Sequence, residues 1–152
     1  MYEDKMKVLN HYQESIDWVN SLRKLSEENW RTPIEVGKWT IAEVIGHLIP
    51  WDEFVLNQRI PYLFSTEELP DSPDTEFVNQ QAAKLSREWS KDKTINLFMD
   101  RRNSLIRSLS DLPEELWTQE VHINRNNLSL VHYFAGLIEH DDHHFNQIQN
   151  VL

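Results

Sequence analysis

The chain has 152 residues and 18.2 kDa, close to the commonest size of one compact unit, and 39% of it is hydrophobic, so residues 1–152 are expected to form a single domain. Fifteen Lys and Arg against 25 Asp and Glu leave a net charge of -10, which repels phosphate backbones and anionic headgroups, so neither a nucleic-acid nor a membrane partner is expected. The absence of cysteine excludes disulfides, thiolate metal sites and a cysteine nucleophile, and a charged start with no apolar segment behind it leads us to expect a cytoplasmic protein.

Only three Gly and six Pro punctuate the chain, so the elements should be few and long. Met6, Leu9, Tyr12, Ile16, Val19, Leu22 and Leu25 recur at steps of three and four and predict a first helix over about 2–27. A connection with Pro33 and Gly37 follows. Thr40 and Glu43 form a capping box that opens a second helix, with Ile41, Val44, Ile45, Leu48, Val55 and Leu56 on its apolar face and Pro50 expected to kink it. Residues 61–73 read as a loop, and 75–109 as helix with a break near Ser90-Lys91-Asp92-Lys93. Residues 112–117 read as a short helical turn, and Asn126 or Asn127 as the cap of a last helix reaching almost to Leu152. No stretch alternates like a half-buried strand for more than a few residues. The expectation is an all-α fold: a four-helix bundle, mostly antiparallel, with one longer crossover connection.

Seven histidines are present, and three crowd into Glu139-His140-Asp141-Asp142-His143-His144. At about 100° per residue His140 and His144 present their rings together at one edge of the apolar stripe, while His143 points to solvent. In the second helix His47 follows Gly46, whose missing side chain would let a neighbouring helix approach closely. Three neutral imidazoles from two helices, with an open fourth position, are the pattern of a catalytic divalent metal site. Chance pairing at this spacing is the competing account. Asp141 falls in the middle of the stripe, where a carboxylate is costly unless it is paired. Orienting a ligand imidazole, serving as a base, or a plain hydrogen bond to Tyr, Trp or Arg would each satisfy it, and Asp52 raises the same question. His140-Asp141-x-x-His144 also mimics the zincin H-E-x-x-H, without the β-sheet that zincins carry. His11, His122 and His132 have no partner visible in the sequence.

Trp39-Thr40-Ile41-Ala42-Glu43-Val44-Ile45-Gly46-His47-Leu48, followed by His140-x-x-His143-His144-x-x-Gln147-Ile148, resembles the DinB/YfiT-like superfamily of bacterial proteins. The resemblance implies a four-helix bundle in which His47, His140 and His144 hold a divalent metal, zinc or nickel. It further implies a metal-dependent transferase that uses a low-molecular-weight thiol (mycothiol, bacillithiol or glutathione), and we expect its small electrophile to lie in a cleft lined by tryptophans such as Trp51. A metal-dependent hydrolase, with Asp141 as the candidate base, and a non-enzymatic metal-binding bundle are the alternatives. A homodimer is expected as well. Phe145-Asn146 stands where family members often carry Arg-Gly, a departure that bears on the substrate rather than on the ligands.

Overall fold

A computed structural model describes residues 2–63, 69–123 and 126–152. Among the described residues six α-helices predominate: α1 (Tyr2–Ser21), α2 (Glu27–Trp30), α3 (Ile41–Gln58), α4 (Thr75–Glu88), α5 (Lys91–Ser110) and α6 (Leu130–Gln149). The all-α bundle is as expected, and α1, α3, α5 and α6 are its four long members.

The helix boundaries follow local chemistry. The first helix stops at Ser21, tightens into a 3₁₀ turn over Leu22–Lys24, and yields to α2 because Ser26 caps a new start on the Asn29 N–H. Thr40 and Glu43 make the capping box of α3, which runs through Pro50 without a break. The break near residue 90 is real, with Ser90 accepting from the Lys93 N–H to start α5. Part of the expected 61–73 loop (64–68) lies outside the described residues. Glu114–Thr118 is the short 3₁₀ turn foreseen in that region.

One element was not foreseen. Glu120–Ile123 (β1) and Asn126–Ser129 (β2) pair antiparallel, with Val121 opposite Leu128. Asn126 and Asn127 therefore sit in a ladder, and the cap of α6 is Ser129, which accepts from the His132 N–H. Four residues are too few for alternation to register, yet Val121 is buried and anchors the hairpin to the core.

Cross-contacts fix the helix directions. Tyr12 meets Phe134 and Trp18 meets Phe145, so α1 and α6 run parallel. Lys5 reaches the carbonyls of Ser110 and Leu112 while Arg23 reaches Asp92, so α1 and α5 run antiparallel. Ile41–Ile49 share one core cluster with Ile95 and Phe98, and Val55 shares the other with Leu105 and Leu109, so α3 and α5 run parallel. The crossover that this demands is carried by α4, which returns antiparallel along α3 through Glu43–Arg87 and Trp51–Asn79. Close packing joins α6 to α1, α1 to α5, and α5 to α3. The remaining seam, between α3 and α6, is bridged by side chains, and there the histidines meet.

Gly46 does what its position suggested. A Cβ added there would lie 1.7 Å from Ser86 Oγ and 2.9 Å from Ser86 Cβ, so α4 packs on bare backbone one residue before His47.

Candidate metal centre

His47 enters the seam from the second turn of α3, and His140 and His144 enter from α6. Their ligating nitrogens all lie within 4.8 Å of one another. Ring centroids are 4.7 Å apart for His47–His144, 4.6 Å for His140–His144 and 6.0 Å for His47–His140. Nε2 of His140 faces Nε2 of His144 at 3.3 Å. Two nitrogens bound tetrahedrally at about 2.0–2.1 Å to one zinc would stand roughly 3.3–3.4 Å apart.

Tautomers and charge suit the same purpose. Nδ1 of His47 donates to the Val44 carbonyl and Nδ1 of His144 to Gln147 Oε1, which leaves each Nε2 with a free lone pair. Burial, then the neighbouring His144, lowers His47 to about 4, and burial likewise lowers His140 and His144. All three rings are therefore neutral at pH 7, and no proton competes for their lone pairs. This donor set fits a divalent ion of the zinc, nickel, iron or copper group.

Beside the cluster lies a cavity of about 250 Å³ lined by Ile34, Gly37, Lys38, Trp39, Val44, His144 and Gln147. The loop that forms its wall is held by Ile34 N–H to Trp39 C=O at 2.9 Å, and by a turn closed by Lys38 N–H to Glu35 C=O at 2.9 Å. Gly37 supplies the φ of +77° that the third position of this turn requires. Trp39, with its ring 4.9 Å from that of His47, is the tryptophan of the site. Trp51, expected in the cleft, instead donates to Asn79 on the α4 side.

Behind the histidines is a buried ionic network that the sequence did not disclose. Arg102, 1% exposed, sits in the apolar stripe of α5. Its Nη1 and Nη2 donate to Asp141 Oδ2 and Oδ1 at 2.5 and 3.0 Å, its Nε donates to Asp52 Oδ2 at 2.7 Å, and Nη1 also reaches Ser15 Oγ at 3.3 Å. His11 Nε2 adds a 2.8 Å hydrogen bond to Asp141 Oδ2. Burial alone would raise Asp141, but Arg102 and His11 together hold it well below the ordinary carboxylate range. Burial raises Asp52, which receives only one bond from Arg102 in return. Burial would lower Arg102, and the two carboxylates more than offset that, so it stays charged. Of the three roles open to Asp141, the bond to arginine is the one seen, joined by His11. Its two carboxylate oxygens are taken up by Arg102 and His11 rather than by one of the three rings.

His11 thus has a partner after all. His143 is exposed, His122 bonds Asn127 within the hairpin, and His132 sits on its own cap at Ser129.

A profile of the DinB superfamily matches residues 12–148. The chain belongs to the DinB superfamily. Among solved structures it is similar to YfiT from Bacillus subtilis, described as a probable metal-dependent hydrolase with an unusual four-helix bundle topology. The TM-score is 0.80 at 16% identity, over 99% of this chain and 87% of that one. It is also similar to a mycothiol-dependent maleylpyruvate isomerase, with a TM-score of 0.65 at 15% identity, over 89% of this chain. The DinB chain spans 56% of that isomerase's length. At these identities the likeness establishes the fold. A comparison with curated protein sequences found no match. Among the described residues no helix is long and apolar enough to cross a membrane.

Proposed function

We propose that this DinB protein is a metal-dependent S-transferase in which His47, His140 and His144 hold the ion and a small-molecule thiol meets an electrophile beside it. The observation that carries the reading is the convergence of three neutral imidazoles, one of which, His144, lines a cavity of about 250 Å³. The three rings would hold a zinc or nickel ion, which would supply a Lewis acid able to lower the pKa of a thiol. The chain does the rest. The Val44 carbonyl and Gln147 orient the rings, Trp39 offers a flat apolar wall, and Lys38 places a cation at the mouth for an anionic group on the thiol. With no cysteine in the chain, the sulfur nucleophile must arrive with the cosubstrate. The mycothiol dependence of the similar isomerase supports this choice.

The hydrolase description of YfiT favours a second reading, metal-dependent hydrolysis. That chemistry calls for a base near the ion. The residues lining the cavity include no carboxylate, and Asp141 is committed to Arg102, which favours the thiol.

The test begins with metal analysis of untagged protein. One equivalent in the wild type, lost in His47→Ala, His140→Ala and His144→Ala, is the expected result, and a metal-free wild type ends the proposal. Loaded protein is then given bacillithiol, mycothiol or glutathione with a chromogenic electrophile. Turnover abolished in His47→Ala supports the transferase. Ester hydrolysis without thiol supports the hydrolase, and bound metal with no turnover supports a non-enzymatic bundle. For the homodimer we propose α4 as the contact face, on the support of Phe77, 63% exposed beside a cavity of about 330 Å³ lined also by Val78, Leu85 and Trp89, and sedimentation of Phe77→Glu tests it. A cytoplasmic location completes the proposal and is checked by cell fractionation.

A further inference from the structure

We propose that Arg102 is a positioning residue: by holding Asp52 of α3 and Asp141 of α6 on one guanidinium, it sets the distance between His47 and the His140–His144 pair. The inference rests on the metal-centre reading and concerns a residue on a helix that supplies no ligand. Asp141 directly follows His140 and precedes His144 by three residues, so whatever fixes Asp141 fixes both rings. Asp52 lies five residues after His47, about 7.5 Å along the helix. The long helices pack closely at every seam except the one between α3 and α6, so the register of these two is transmitted through their neighbours. Arg102 is the direct link. It makes two bonds to one carboxylate and one to the other, and its guanidinium carbon lies 4.6 Å from the Phe98 ring centre and 5.0 Å from that of Tyr12.

Stability alone gives a poor account of this arrangement. Ile95, Phe98, Arg102, Leu105 and Leu109 step along α5 by three and four, so an apolar side chain would suit residue 102. Burying one cation and two carboxylates costs desolvation that well-packed apolar replacements avoid. What the ionic group adds is direction. A planar fork with fixed donor angles fixes two carboxylates in space, which neither a methionine nor the point charge of a lysine does.

The test separates placement from folding. The variant Asp52→Leu/Arg102→Met/Asp141→Leu removes all three charges and leaves apolar side chains of similar volume. Its metal-free thermal midpoint is expected to match or exceed that of the wild type. Its Co²⁺ affinity, read by competition with a chelator, is expected to fall about 10–100-fold. The visible cobalt band should change in shape, and Arg102→Lys should restore affinity only in part. Wild-type affinity and an unchanged band in the triple variant would overturn the proposal while leaving the metal centre standing. A wild type that takes up no cobalt overturns both. Should the triple variant not fold, Asp52→Leu alone, which removes the acceptor on the α3 arm, decides the matter: about tenfold weaker binding supports the proposal and unchanged binding overturns it.

Discussion

Substituting Gly46 with alanine tests the packing that sets His47 in place. The new methyl would stand 1.7 Å from Ser86 Oγ. Rotating that hydroxyl away removes the worst overlap, but it breaks the 2.8 Å bond to the Ala82 carbonyl and leaves the methyl 2.9 Å from Ser86 Cβ. Backbone must then move. Overpacking of this kind costs about 1–3 kcal/mol, and a lost buried hydrogen bond about 1 kcal/mol more. Alanine returns roughly 1 kcal/mol through its better helix propensity. The net loss is about 2 kcal/mol, a fall of roughly 4–8 °C in the melting midpoint of a domain this size. Thermal unfolding followed by circular dichroism measures it. Moving the glycine across the contact, in Gly46→Ala/Ser86→Gly, removes both clashing atoms and should bring the midpoint back to within about 2 °C of wild type. If Gly46→Ala alone melts at or above the wild-type midpoint, α4 does not lie against α3 as described.

Other outcomes follow from the same coordinates. Because the folded pKa of His47 lies below its unfolded value of 6.5, the unfolded chain takes up the proton first as pH falls. Stability should therefore drop between pH 6.5 and about 4, by about 3 kcal/mol for this ring, and urea titrations of His47→Gln should show a shallower slope there. Metal uptake should be constant above pH 7 and decline as the pH falls toward 4, where folded His47 takes up a proton, measured by competition at fixed ionic strength. Arg102→Ala, unlike the compensated triple variant, strands two buried carboxylates and should lose about 3–5 kcal/mol in urea unfolding. Lys38→Glu, at an exposed residue, should leave the melting point unchanged while raising KM for an anionic thiol several-fold with little effect on kcat. A KM that does not move would remove Lys38 from the binding site.

Much of this architecture can be read from residue order, because helical spacing is a local property. The capping box at Thr40, the break at Ser90 and the i,i+4 pair His140/His144 need only neighbours a few positions away. The meeting of His47 with that pair needs the fold, and the family motifs stood in for it. Arg102 left a mark that went unread: a cation in register with Ile95, Phe98, Leu105 and Leu109 has to be neutralised by buried partners, and Asp52 and Asp141 were the two buried acids without one. His11 could not be assigned because its partner lies 130 residues away on a parallel helix. The hairpin escaped because its strands are four residues each and depend on Val121 reaching the core. Trp39 carries no signal that assigns it to the site, because the loop that bears it has no periodicity to read.

The parallel pairing of the first and last helices bears on how the protein is handled at the bench. Twenty residues of helix extend about 30 Å, so the first residue of α1 and the last of α6 lie at opposite poles of the bundle. His144 lies eight residues from the final leucine, and α3 begins at that same pole. An affinity tag of histidines appended after Leu152 would hang within reach of the cluster and compete for its ion. One attached on the side of Tyr2, where α1 begins, would start a helix-length away, and that is where such a handle belongs.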